Sequence, residues 1–189
     1  SIDETKLYFT SDMPGTIGGS DIFLVNINKD GTFGTLQNLG TKINTEGREN
    51  FPYVSDNGTL YFSSDSHLGL GGLDVFKFNS IDNLSTSKEV ATNIGKPINS
   101  PKDDFGYLIN EVSLNGYFTS NRAGGKGDDD IYSFTRNPCE QSVKGVIVDK
   151  STLESIPNAY VTIYDQDNNM IKLFKSDING AYALDLACD

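Results

Sequence analysis

The chain has 189 residues, 37% of them hydrophobic, with 11 Phe and 9 Tyr, and 26 Asp plus Glu against 15 Lys plus Arg give a net charge of −11. That apolar content supports a core and excludes global disorder, while the charge sets nucleic acid and anionic lipid surfaces aside as partners. No apolar run approaches the ~20 residues of a membrane-spanning helix.

Residues 1–10 lack the basic start and apolar stretch of a secretory leader. The chain opens abruptly on a strand, which reads as a processed or truncated piece. From there an internal repeat organises most of the sequence. Leu7-Tyr8-Phe9-Thr10-Ser11-Asp12 returns as Leu60-Tyr61-Phe62-Ser63-Ser64-Asp65, an offset of 53 residues (7 to 60). It returns again as Gly116-Tyr117-Phe118-Thr119-Ser120-Asn121, 56 residues further (60 to 116). Each copy continues alike: Gly18-Gly19-Ser20-Asp21-Ile22-Phe23, Gly71-Gly72-Leu73-Asp74-Val75-Phe76 and Gly127-Asp128-Asp129-Asp130-Ile131-Tyr132. The connectors match as well, Asn38-Leu39-Gly40 with Ile43-Asn44 against Asn93-Ile94-Gly95 with Ile98-Asn99. Phe51-Pro52-Tyr53 aligns with Phe105-Gly106-Tyr107.

In Leu60-Tyr61-Phe62 both alternating faces are apolar, and Val75, Phe76 and Phe78 repeat the pattern, so these strands are expected to be covered on both sides. Ser55-Asp56-Asn57-Gly58-Thr59 is a tight turn before Leu60. About four short strands per ~50 residues is the content of one propeller blade, a four-stranded antiparallel sheet. Three such units cannot close a ring, and the first begins at its second strand. Asp21, Asp74 and Asp130 precede buried pairs and are expected to accept hydrogen bonds from turn N–H groups. Asp12, Asp65 and Asn121 form the other recurrent polar position, where Asn121 keeps a side-chain oxygen and loses the charge.

After Arg136 the pattern changes, with Asn137-Pro138-Cys139 as a boundary. Strands are expected over residues 143–148, 159–164, 170–175 and 181–186, with turns at 165–169 and 176–180, the spacing of a β-sandwich. The two cysteines, Cys139 and Cys188, bracket this segment. They read as a disulfide in an oxidising compartment or as two unpaired thiols; closing the 49-residue loop (139 to 188) would be worth about 4 kcal/mol.

Catalytic constellations are not assembled by this sequence. The single histidine, His67, lies in a loop without a partnered nucleophile motif. The Gly-rich segments at 15–19 and 124–127 lie between strands, without the helix that a phosphate site needs. Asp165, Asp167 and Asn169 have calcium-loop spacing, but Met170 stands where Gly is needed and no Glu closes the loop at Ser176. Asp128, Asp129 and Asp130 are candidate cation ligands, since adjacent carboxylates repel one another; solvated turn carboxylates account for them equally. No cofactor is expected.

Residues 61–65 and 71–76 resemble the WD-like, TolB-type propeller repeats. Together with Asn38-Leu39-Gly40, Ile43-Asn44 and residues 124–132, they resemble multidomain OmpA-family envelope proteins of the Bacteroidota type, over about residues 5–136. Val143-Lys144-Gly145-Val146-Ile147-Val148-Asp149, Ile156-Pro157-Asn158-Ala159-Tyr160-Val161 and Asp177-Ile178-Asn179-Gly180-Ala181-Tyr182 resemble a carboxypeptidase regulatory-like domain. The resemblance implies an all-β chain with two parts: a partial β-propeller of about three blades over 1–136, incomplete at its N-terminus, and a transthyretin/Ig-like sandwich over 137–189, incomplete at its C-terminus. It further implies a non-enzymatic protein-interaction scaffold, periplasmic or associated with the outer membrane of a Gram-negative envelope. Such a scaffold would hold envelope protein partners, be linked to peptidoglycan through an OmpA-like domain absent from this sequence, and be related to type IX secretion. Two other readings are a propeller accessory to a secreted hydrolase, and a glycan-binding module using Tyr53 or Tyr107.

Overall fold

The computed structural model describes the whole chain except residues 2, 80, 138, 139, 165–167, 188 and 189, with backbone only at 140, 186 and 187. The described residues form fourteen strands and one short 3₁₀ turn. They are β1 (Lys6–Ser11), β2 (Asp21–Asn26), β3 (Gln37–Asn38), β4 (Glu49–Val54), β5 (Leu60–Ser64), β6 (Asp74–Phe78), β7 (Thr92–Asn93), β8 (Asp104–Asn110), β9 (Asn115–Ser120), β10 (Asp130–Thr135), β11 (Glu140–Val146), β12 (Tyr160–Tyr164), β13 (Met170–Lys175) and β14 (Ala181–Ala187). The chain divides into two compact units, Ser1–Arg136 and Asn137–Asp189. Among the described residues no helix is long and apolar enough to cross a membrane.

The first unit holds three antiparallel sheets, ordered β1-β2-β3, β4-β5-β6-β7 and β10-β9-β8. Among the described residues only the middle sheet has four strands, and the first was expected to begin at its second strand. The first lacks a counterpart of β4 and the third a counterpart of β7. The reason that the middle strands are apolar throughout is that period-2 alternation sends side chains to both faces. Leu60, Phe62, Phe76 and Phe78 join Ile22, Leu39 and Ile43 in one buried cluster. Tyr61 and Val75 join Tyr107, Ile109 and Phe118 in a second. The middle sheet is therefore covered on both sides, and all of β5 is buried.

The outer sheets depart from the two-sided expectation. On β9 and β10 the inward residues are sheltered, but Tyr117 is 57% and Ile131 77% exposed. These two occupy the positions of Tyr61 and Val75, which a neighbouring sheet covers.

Strand pairing corrects one equivalence drawn from the sequence. Tyr53 pairs with Tyr61 and Val54 with Leu60, whereas Leu108 pairs with Tyr117 and Ile109 with Gly116. Tyr53 thus corresponds to Leu108 and not to Tyr107, and Phe51 corresponds to Gly106. Both of the latter have left-handed backbone, φ 55° and 62°, at the register shift of their strand. A one-residue slip reverses every side chain, and Tyr53 and Tyr107 accordingly point toward each other's sheets. Matching aromatic letters obscured this because the bulge residue is Phe in one copy and Gly in the other.

In the second unit β11 pairs with β14 and β12 with β13, all antiparallel. The hairpin before β14 is built by Asp177, whose Oδ1 accepts the N–H groups of Asn179 and Ala181, both at 2.8 Å. Buried Ser176 ties the strands together, accepting the Ala159 N–H and donating to the Ile156 carbonyl. The four strands lie within two residues of the expected ranges at each end, except that β11 runs from Glu140 to Val146 instead of 143–148.

Candidate functional site

The recurrent polar residues of the first unit sit at one end of the sheets, where the loops joining β1 to β2, β5 to β6 and β9 to β10 lie. Asp21 accepts the N–H groups of Ile17 and Gly18. Asp74 accepts those of Leu70 and Gly71 at 2.6 and 3.0 Å. Asp130 accepts those of Lys126 and Gly127 at 2.8 and 3.1 Å. In each case a carboxylate at the start of a strand fixes the loop before it, a charge-assisted bond to backbone N–H. The loop tips are apolar in two copies: Ile17 is 40%, Leu68 96% and Leu70 45% exposed.

The second recurrent position closes a strand start. Asp65 Oδ1 accepts the Arg48 N–H and its Oδ2 the Arg48 guanidinium, each at 2.8 Å. Asn121 Oδ1 accepts the Asp103 N–H at 2.9 Å, and its Nδ2 donates to Asp103 Oδ2 at 2.7 Å. The substitution at 121 is compensated by its partner: facing an acid rather than a base, an amide bonds where a second carboxylate would repel. Asp12 is exposed, since the first sheet has no counterpart of β4 among the described residues. At Asp65 burial raises the pKa, and the Arg48 bonds outweigh it, so the net direction is down.

Two buried asparagines had been legible only as matched letters. Asn44 Oδ1 accepts the Ile22 N–H at 2.8 Å and its Nδ2 donates to the Ile22 carbonyl at 3.0 Å. Asn99 does the same to Val75, at 2.8 Å in both directions. Each amide also donates to the Asn six residues earlier, Asn38 or Asn93, at 2.8 Å. The side-chain amide stands in for a strand partner at the N–H of a buried residue, and shares its carbonyl with the Leu39 or Ile94 N–H.

Sequence reasoning missed two fully buried charges. Glu49 and Asp104, both 0% exposed, begin β4 and β8. Glu49 accepts from Thr45 N–H, Thr45 Oγ1 and Ser64 Oγ. Asp104 accepts from Ser100 N–H and pairs with Arg122 Nη2 at 2.6 Å. Arg122 also donates to the carbonyls of Pro97 and Ile98 and lies over the Phe118 ring at 4.8 Å. His67 plays a related part, its Nε2 lying 2.8 Å from the Ile43 carbonyl and its ring against Phe62 and Phe76. The signal available in sequence was a Thr or Ser four residues before an acid at both sites.

Tyr53 and Tyr107 lie between the second and third sheets. Tyr107 is 5% exposed, and the Tyr61 ring stacks on Tyr53 and lies tilted against Tyr107. Tyr53 Oη donates to the Ile109 carbonyl at 2.7 Å. Tyr107 is thus buried between the sheets, and Tyr53 is half-buried. A cleft of about 440 Å³ does open beside Tyr107 and Phe134, lined also by Lys77, Ile98 and Arg136. The corresponding groove between the first two sheets holds a cavity of about 500 Å³, lined by Leu39, Ile81 and Leu84.

Burial pushes the Tyr107 hydroxyl up to about 12, and the Tyr61 hydroxyl is raised by burial and by Glu111. A phenol raised above its ordinary value of ~10 stabilises the fold below that pH and loses the contribution as pH rises beyond it. We expect alkaline unfolding to begin above pH ~10 and to be accompanied by late tyrosinate absorbance. Phenylalanine at both positions should shift the onset to higher pH; an unchanged onset would contradict this account.

Asp128 and Asp129 are exposed, Asp130 is committed to its loop, and no group of three His, Cys, Asp or Glu able to hold a metal occurs among the described residues. Cys139, Cys188, Asp165 and Asp167 lie outside the described residues. No family model matches the chain, and no curated protein matches it.

Proposed function

We propose that the chain is a non-catalytic protein-interaction scaffold of the Gram-negative cell envelope, built from propeller-type blades followed by a transthyretin-like sandwich. The observation that carries this reading is the use made of the recurrent carboxylates: in successive sheets they hold loops and strand starts, while apolar side chains occupy the loop tips. Rigid loops with exposed Ile17, Leu68 and Leu70 form a surface suited to a protein partner. The middle sheet, sealed by a neighbour on each face, supports radial stacking of repeated sheets. By resemblance the partners are envelope proteins, with peptidoglycan reached through an OmpA-like domain and a relation to type IX secretion.

The test is retention of envelope proteins by the immobilised chain, with peptidoglycan as competitor. Leu68→Asp combined with Leu70→Asp should abolish retention of the specific partner, while each surface change alters stability by no more than about 0.5 kcal/mol. Soluble peptidoglycan should leave retention unchanged. Equal retention by the double variant, or displacement by peptidoglycan, would count against the scaffold surface.

A further inference from the structure

In the first two sheets the edge beyond β2 or β6 is occupied in the same way. A two-residue strand pairs there, Phe23 opposite Asn38 and Phe76 opposite Asn93. Six residues later Asn44 or Asn99 clamps the backbone of Ile22 or Val75. Leu39 and Ile43 enter the core between sheets, and Ile98 with Ile94 does so in the next. After each clamp the chain starts the following sheet, where the Glu49 N–H bonds the Ser20 carbonyl and the Asp104 N–H the Leu73 carbonyl.

The third sheet presents the same receiving edge. Asp130, Ile131 and Tyr132 stand at the positions of Asp74, Val75 and Phe76, and Asp130 holds its loop as Asp74 does. Yet β10 ends its sheet, and Ile131 is 77% exposed where Ile22 and Val75 are 0%. The strand that follows in sequence, β11, pairs with β14 instead.

We propose that the edge of β10 receives an extended segment from a further repeat of this kind, with the pattern Asn-apolar-Gly-x-x-Ile-Asn. Its first Asn lies opposite Tyr132, its Ile covers Ile131, and its second Asn bonds the N–H and carbonyl of Ile131. An open edge accepts many strands through backbone bonds alone; the paired asparagines supply the selectivity, because each must satisfy groups that the segment itself buries. The inference rests on the reading of the sheets as equivalent repeats.

A labelled ten-residue peptide copying residues 36–45 is titrated into the whole chain, with amide exchange followed by NMR. Saturable binding is expected, with slowed exchange at the Ile131 amide. Alanine at the peptide position of Asn44 should weaken binding by about tenfold or more, a change that cannot affect folding of the protein. The inference fails if the peptide does not bind, if a scrambled peptide binds equally, or if the Ile131 amide is unaffected. Exchange at the Val75 amide separates the two levels: protection there with no effect at Ile131 removes only the receiving edge, whereas rapid exchange at Val75 removes the equivalence of the repeats.

Discussion

Asn99→Ala should destabilise the first unit by about 2–4 kcal/mol, measured by urea unfolding. The side chain is 1% exposed and makes three hydrogen bonds, two of them to the backbone of fully buried Val75. Truncation leaves the buried Val75 N–H without a partner, at a cost of about 1–3 kcal/mol, and removes one of two donors from the Val75 carbonyl, which keeps the Ile94 N–H. Asn99→Asp tests the donor separately. It keeps an oxygen for the Val75 N–H but places a second acceptor against the Val75 carbonyl and Asn93 Oδ1. The introduced carboxyl should favour its protonated form in the fold, so this variant should regain stability as pH falls. Asn28→Ala, on an exposed loop, should cost less than about 1 kcal/mol. Equal losses at positions 28 and 99 would overturn the clamp.

Arg122→Ser should be of similar size, about 3–5 kcal/mol. Asp104 is fully buried and would be left without its cation, and the stacking of the guanidinium on Phe118 and Tyr132 would be lost. The preceding repeat suggests the repair. At the position of Asp104 it carries Glu49, satisfied by the Thr45 and Ser64 hydroxyls and the Thr45 N–H. Ser120 already matches Ser64, so adding Asp104→Glu and Ser100→Thr to Arg122→Ser should recover about half of the loss. No recovery would mean that the two sites are not interchangeable solutions to one burial problem.

These two expectations bear on function through rigidity. A loop surface can hold a partner only if its loops keep one conformation, because ordering them on binding subtracts from affinity. The asparagine clamps and buried carboxylates supply that order from below, joining the loop-bearing end of each sheet to its neighbour. Substitutions at these positions should therefore weaken partner binding without touching the partner, whereas changes at Leu68 and Leu70 should weaken it without loosening the fold.

Much of this was readable from residue order. The two-sided apolar strands at residues 60–62 and 75–78, the Ser55–Thr59 turn and the loop-holding role of Asp21, Asp74 and Asp130 follow from local pattern, because alternation and turn chemistry act over a few residues. The strands of the second unit followed from the same alternation. What sequence could not reveal was long-range. The bonds from Asn44 to Ile22 and from Asn99 to Val75 span more than twenty residues, as the register of β4 and β8 shows in another way: it was misaligned by one residue because aromatic letters were matched in place of backbone conformation.

The sequence by itself determined an all-β chain with three related units and a change of pattern after Arg136, since periodicity and turn residues are properties of neighbouring positions. Only the tertiary structure decided which face each repeat covers, which carboxylates are buried, and that Tyr117 and Ile131 stand open where Tyr61 and Val75 are sealed. Identical residue types acquire different surroundings when one sheet has a neighbour on each side and another does not, and that difference is set by assembly of the sheets rather than by any local pattern.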